Sequence, residues 1–451
     1  MPETSSSSSS SSAAPEVPQV PPAVPVSAPA SSAGQQPTGS SSNEAAIIYG
    51  KIPRVPTQPA VDGVRFDFCS GLRVFFPPVA EGEAAPSWRL RFWDEEAGIM
   101  LYDSEGQPDT VVSAVKKYFM RYRLEIVKDG KAVFSHTMDL AGQKVVVQLP
   151  VRTLGDSIAW FSYLERFHRK HGCELYVVCS DVIRGIFEKQ YPEFRFIGKE
   201  AVPLVQPYAV YYLGLFFNGD NNHQPVDFRL VGLHQTAGLI LGLRTREELA
   251  DEPPRVDLSA PRKIAEPYAV IATKATAQCK YWNNPFGWEE VIRDLRSRGL
   301  RVLCIDKDRV HGAGTHVNHI PWGVEDFTGD RPLQERIDLI KDAEVFVGLS
   351  SGLSWLAWCC RVPVVLVSGF SMPFAEFYTP YRAINFGVCN GCWNDVRLSF
   401  DHHDFLWCPR HAGDETRQFE CSRKIGGKQV TGMLAQILDG KFPARKEEEN
   451  G

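Results

Sequence analysis

Between Ile47 and about Leu149 apolar and polar side chains alternate with a period of two, the pattern of extended segments with one face set to be buried. WRLRFWD, GIMLYDS, KKYFMRYRLEIVKDG and KAVFSHTMDL are predicted strands, with KDGK as the turn of a hairpin. The pair around Tyr118–Ile126 and Lys131–Met138 carries aromatics on more than one face. Either it is buried on both sides or it protrudes as an arm for subunit contact. From VVVQL onward the pattern changes to an apolar strand, a turn holding Gly155 and Asp156, an amphipathic helix and a second strand. That is the grammar of a parallel sheet covered by helices. AVYYLGLFFN and the helical HQTAGLILGL continue it, and TREELADEPPRVDLSAPRKIAEP reads as a linker. The same strand–helix alternation restarts at YAVIATKA and runs to VPVVLVSG.

The predicted organisation is a Ser/Pro-rich tail over residues 1–44, too poor in large apolar side chains to order itself, and a β-rich domain over 45–149. An α/β half over 150–245, the linker 246–266, a second α/β half over 267–440 and a charged tail over 441–451 follow. Two such halves imply a cleft for a nucleotide between them, with its ligands outside the carboxyl ends of the strands.

Composition removes several classes of function. No apolar run approaches the length of a membrane span. A net charge of -5 and a pI near 6.2 argue against a nucleic-acid partner, so any bound phosphate should belong to a small ligand. The first residues, MPETSSSS, have neither a basic nor an apolar leader region, which predicts a cytoplasmic protein with reduced thiols. Of the 11 cysteines, seven are scattered through apolar or strand-like surroundings and read as small hydrophobes. Cys389, Cys392, Cys408 and Cys421 form a pattern, C-x2-C-x15-C-x12-C, within the segment 389–421. A two-residue knuckle followed by two later thiols can surround one metal ion, and four thiolates suit zinc or iron alike. His402, His403 and His411 lie inside this segment and are expected to be bystanders of a complete four-thiolate shell.

Four features fall at strand ends. Leu154, Gly155 and Asp156 put a carboxylate in the turn before a helix, as either an N-cap or a general base. Thr276 and Lys280, with Lys274 nearby, offer a hydroxyl and an ammonium to a pyrophosphate. Asp306 closes the strand RVLCID, where an acid can accept hydrogen bonds from ribose hydroxyls or act as a local cap. Ser350, Ser351, Gly352 and Leu353 form a small-residue turn opening a helix, suited to an anion or to simple Ser capping. His311, His316 and His319 crowd the loop after Asp306, either solvated or near a bound adenosine.

These residues in this order resemble the ADP-heptosyltransferases from about Val145 to Ile437. The resemblance implies a GT-B fold of two Rossmann-like domains, a base at Asp156, phosphate partners at Thr276 and Lys280, and a Gly-Leu-Ser turn over the pyrophosphate. Lipopolysaccharide-modifying members usually carry an acid, a Thr and a His where this chain has Ser350, Ser351 and Trp355, which weakens a lipopolysaccharide acceptor. The four-Cys finger, the β-rich N-terminal domain with its hairpin, and the phrases FVGLSSGLSW and EDFTGD resemble the bacterial autotransporter heptosyltransferases. That resemblance implies one bound iron (Fe3+) per chain, with zinc as the alternative, a homododecamer, an ADP-heptose donor, and serines of an autotransporter adhesin passenger as acceptor. The rival readings are a lipopolysaccharide-core ADP-heptosyltransferase and a non-catalytic, metal-stapled assembly protein.

Overall fold

The computed structural model describes residues 50–151, 153–217, 221–314 and 316–443. The expected Ser/Pro-rich tail and most of the charged C-terminal tail lie outside the described residues.

The second half is a six-stranded sheet, parallel throughout. In sequence order its strands are Tyr268–Ile271, Arg301–Cys304, Glu325–Asp326, Val345–Leu349, Val364–Val367 and Arg382–Ala383. Their spatial order is 3-2-1-4-5-6, the doubly wound arrangement whose order reverses between the first and fourth strands. The four inner strands are short runs of mostly β-branched and apolar residues buried on both faces; Val345, Phe346, Val347 and Leu349 have no exposed surface. Helices Gly287–Ser297, Leu333–Ile340, Gly352–Cys359 and Gly427–Leu438 fall in the connections and after the last strand.

The first half repeats the scheme with Lys144–Gln148, Glu174–Val178, Arg195–Phe196 and Ala209–Tyr212, ordered 3-2-1-4. The expected boundary at 149/150 is displaced. Lys144–Gln148 sits between Glu174–Val178 and Ala209–Tyr212 in full parallel register and is the first strand of this sheet, not the last of a preceding domain. Nor is the β-rich region a separate layer. Arg65–Cys69 pairs in parallel with Ala209–Tyr212, and Arg73–Phe76 and Thr110–Ser113 extend the same eight-stranded sheet. The remaining strands, Ile99–Gly106, Trp88–Asp94, Tyr122–Lys128 and Lys131–Thr137, form a four-stranded antiparallel sheet in that order.

This sheet corrects the protruding arm. The KDGK hairpin forms as expected, with Asp129 and Gly130 both at positive φ, the conformation a two-residue turn needs to match strand twist. Its first strand, however, is an inner strand held between two neighbours, and Tyr122, Leu124, Ile126 and Met138 are buried in the main core. One face of that strand, Tyr122, Leu124 and Ile126, lies in the core, while the other carries Arg123 and Glu125, ion-paired with Glu95 and Arg91. Leu124→Ala should therefore cost about 2–5 kcal/mol of stability, read as a lower denaturant midpoint; a free arm would lose nothing. Residues 246–266 carry neither helix nor strand.

Candidate active site

The two switch points locate the cleft. In the first half the chain leaves Lys144–Gln148 and enters the helix Leu154–Phe161, so Asp156 lies in its first turn. In the second half the strand Val345–Leu349 runs into Ser350, Ser351 and the helix Gly352–Cys359. The two helix starts touch. A Cβ on Gly155 would lie 3.2 Å from Trp355 Cδ1 and 3.4 Å from Gly352 Cα, and one on Gly352 would lie 2.7 Å from Leu154 Cβ. A side chain at Gly352 would force the backbones apart and one at Gly155 would crowd Trp355, and the close approach brings two positive helix ends to one spot.

Asp156 is not the N-cap. Thr153 holds that position and makes no side-chain capping bond to the backbone; its Oγ1 donates to Asp156 Oδ2 at 2.5 Å. Removal from water raises the Asp156 carboxyl above its ordinary range. The Thr153 hydrogen bond and the nearby Lys280 and His402 oppose that rise without cancelling it. The result is a carboxylate of increased proton affinity, what a general base requires.

Ser351 is the N-cap of its helix, yet its side chain makes no capping bond and its Oγ is buried without a partner. The simple capping role is thereby removed, and a polar atom is left for a ligand. Ser350 is occupied: its hydroxyl donates to Glu376, which also accepts from Ser371 at 2.5 Å and pairs with Arg382 at 2.6 Å. This buried network holds the turn from behind. Leu353 and Leu154 pack at the edge of the main core.

Thr276 is exposed in the turn after Tyr268–Ile271, and Lys280 ends the short 3-10 helix Gln278–Lys280. Lys280 Nζ rests 5.2 Å from the Phe370 ring centre and 5.6 Å from that of Phe400, contacts that orient the ammonium. Asp306 does not serve as expected. It is 1% exposed, and its carboxylate accepts from the backbone N–H of Thr273 (2.8 and 3.1 Å), that of Lys274 (3.1 Å) and the Thr273 hydroxyl (2.8 Å). Its oxygens are spent on fixing the loop that carries Thr276 and Lys280, which leaves little for a ribose. His311 bonds the Tyr281 hydroxyl at 2.7 Å and so braces the residue after Lys280, whereas the His316 ring meets Phe419 edge-on.

The segment 389–421 is mostly turns around an aromatic cluster of Phe370, Trp393, Phe400, Trp407 and Phe419. Cys389, Cys392, Cys408 and Cys421 lie close enough for each pair to interact electrostatically, and buried Cys279 joins them. Burial first, and the neighbouring thiols second, push the Cys421 thiol well up; burial takes Cys392 to about 11. Four thiols gathered this closely are a donor set for a cation, which they would hold as thiolates. Ligand atoms of Cys389, His411 and Glu420 fall within 4.8 Å of one another, and His411 Nε2 is buried without a hydrogen-bond partner, so His411, expected as a bystander, lies among candidate ligands. His402 lies within electrostatic reach of Asp156 and Lys280 instead, and sequence spacing offered no sign of it, because the carboxylate and the imidazole come from opposite halves of the chain.

Residues 60–130 match the N-terminal domain of the glycosyltransferase TibC, and residues 234–397 match glycosyltransferase family 9 (heptosyltransferase). The chain is 50% identical over 387 residues to the autotransporter heptosyltransferase Aah of Escherichia coli, covering 85% of this chain and 96% of that one. A crystal structure of TibC, a dodecameric iron-containing heptosyltransferase in complex with ADP-D-β-D-heptose, superimposes with a TM-score of 0.81 at 46% identity. That match covers 86% of this chain and 99% of TibC. The inactive autotransporter heptosyltransferase BimC of Burkholderia thailandensis is 36% identical, covering 85% of this chain and 88% of its own. Similarity thus extends to a protein described as inactive, which puts weight on the site's own chemistry.

Proposed function

The chain belongs to the autotransporter heptosyltransferases, and from that premise we propose that it transfers heptose from ADP-glycero-manno-heptose to serine hydroxyls of an autotransporter passenger, with inversion at the anomeric carbon. Asp156 takes the proton of the acceptor hydroxyl as the serine oxygen attacks the anomeric carbon from the face opposite ADP. The bond from that carbon to the β-phosphate oxygen breaks, and its electron pair leaves with ADP. Lys280, Thr276 and the Ser351–Gly352 backbone with the free Ser351 hydroxyl offset the charge that develops on the departing phosphate. One observation carries the reading: a carboxylate of raised proton affinity within electrostatic reach of Lys280, beside two abutting helix N-termini. The same observation favours an enzyme over a metal-stapled scaffold, and Ser350, Ser351 and Trp355 disfavour a lipopolysaccharide acceptor.

Four thiolates suit iron. Cys389, Cys392, Cys408 and Cys421 would hold it as thiolates, with His411 and Glu420 beside Cys389, and it would supply a structural crosslink, leaving the transfer chemistry to the cleft. We take one Fe3+ per chain and a homododecamer, after TibC, and a cytoplasmic site of action, where thiols stay reduced. Among the described residues no helix is long and apolar enough to cross a membrane. The test is the intact mass of a co-expressed passenger. Increments of one heptose residue should occur with the wild-type chain and be absent without it; an unmodified passenger overturns the reading.

A further inference from the structure

The segment 389–421 does more than close on itself. Its backbone holds both halves: the Phe405 carbonyl accepts from Gln278 N–H at 2.8 Å, and the Val396 and Leu398 carbonyls accept from the Arg229 guanidinium at 2.9 and 3.2 Å. Asn394 Nδ2 returns a bond to the Arg229 carbonyl at 2.8 Å. Between these anchors runs Phe400, whose ring lies under the Lys280 ammonium and edge-on to the imidazole of His402, with centroids 4.8 Å apart. From the first half Phe217 meets the same imidazole edge-on at 5.6 Å. His402 is thus pinned between two phenyl rings, one from each wall of the cleft, and it keeps an exposed surface.

We propose that His402 is the acceptor-positioning residue of the cleft, its ring nitrogen hydrogen-bonding the acceptor polypeptide beside the hydroxyl that Asp156 deprotonates. This rests on the transferase reading above. The donor phosphates already have Lys280, Thr276 and the Ser351 turn, and an imidazole is a poor addition to them. Partial removal from water, and the Lys280 charge after it, keep the His402 ring below its usual proton affinity, and a neutral ring adds no positive charge to an anion. A neutral imidazole offers one donor and one acceptor, the complement of a peptide N–H or C=O. Its neighbour Asp156 is the group that meets the acceptor, and Phe217 extends the contact into the first half. His403, adjacent in sequence and exposed, meets neither phenyl ring among the described residues and is the natural control.

The experiment uses full-length, metal-loaded protein with purified passenger as acceptor. His402→Ala should raise the acceptor KM and lower kcat/KM by about ten- to a hundred-fold, an effect of the size that misplacing a bound reactant produces. ADP affinity by calorimetry, metal content and thermal midpoint should stay at wild-type values. His402→Gln, which keeps a donor and an acceptor, should recover part of the loss, and His403→Ala should transfer normally. A His402→Ala enzyme with wild-type acceptor kinetics overturns the proposal. So does a loss of activity that tracks a fallen thermal midpoint or metal content and that Gln fails to restore. If the wild-type chain itself transfers no heptose, the transferase reading fails instead, and the two outcomes are distinct.

Discussion

Asp156→Asn should lower heptose transfer to the passenger by about a hundred- to ten-thousand-fold, the usual contribution of a positioned general base, while ADP still binds. The substitution preserves shape and keeps an oxygen to accept the Thr153 hydroxyl, so the helix start and its contact with Gly352 should survive. What disappears is a group able to take a proton. Asn lacks a carboxylate's negative charge, so the favourable interaction with Lys280 is also lost, and ADP affinity should if anything rise as the ammonium becomes free for phosphate. The wild-type pH profile provides an internal check. The base works only when ionised, and burial raises its proton affinity, so the acid limb of kcat/KM should lie above the ordinary aspartate value of 3.8, with activity lost as pH falls through it. Mass spectrometry of the passenger and calorimetry with ADP decide the matter. Transfer by Asp156→Asn at the wild-type rate would remove Asp156 from the mechanism.

The second large effect is expected at the thiols. Cys421→Ser and Cys408→Ser should each reduce bound metal from about one ion per chain to background by elemental analysis. Cys421 is buried against Gly369, where a Cβ would stand 2.6 Å from the Cys421 carbonyl oxygen, so the finger has been folded onto the loop after Val364–Val367 without slack. A segment of turns has few backbone bonds of its own, and without the crosslink it should open to protease between 389 and 421 while the two parallel sheets stay folded. Elemental analysis that returns zinc would revise the metal and leave the ligands in place. A metal-free, protease-resistant and fully active Cys421→Ser protein would show the thiols to be ordinary core residues.

Both parallel sheets were legible because VVVQL and YAVIATKA open runs in which period-two and helical patterns alternate, and that alternation leaves few topologies. The strand ends then single out Asp156, Lys280 and Ser351, since carboxyl-edge binding follows from the topology itself. The errors are of another kind. Asp306 stands where a ribose partner would, but its hydrogen bonds go to the backbone of Thr273 and Lys274, and a backbone partner leaves no trace in side-chain identity. Tyr122 and Leu124 read equally well as part of an arm or of a covered strand, because an apolar face states that it is buried without saying by what. His402 and His411 were set aside because four thiolates already complete a metal shell, and a loop without periodicity gives no hint of which way its side chains turn.

Arg229 binds the finger at Val396 and Leu398 while Gln278 binds it at Phe405, so one small loop is bolted to both halves of the molecule. Such a loop is a mechanical tie. Any rotation that separates the halves must either stretch these hydrogen bonds or carry the loop with one half and break it from the other. Were the halves to part so that ADP could leave, the stiffness of this tie would set how far they open, and turnover would then be sensitive to a part of the chain remote from the nucleotide.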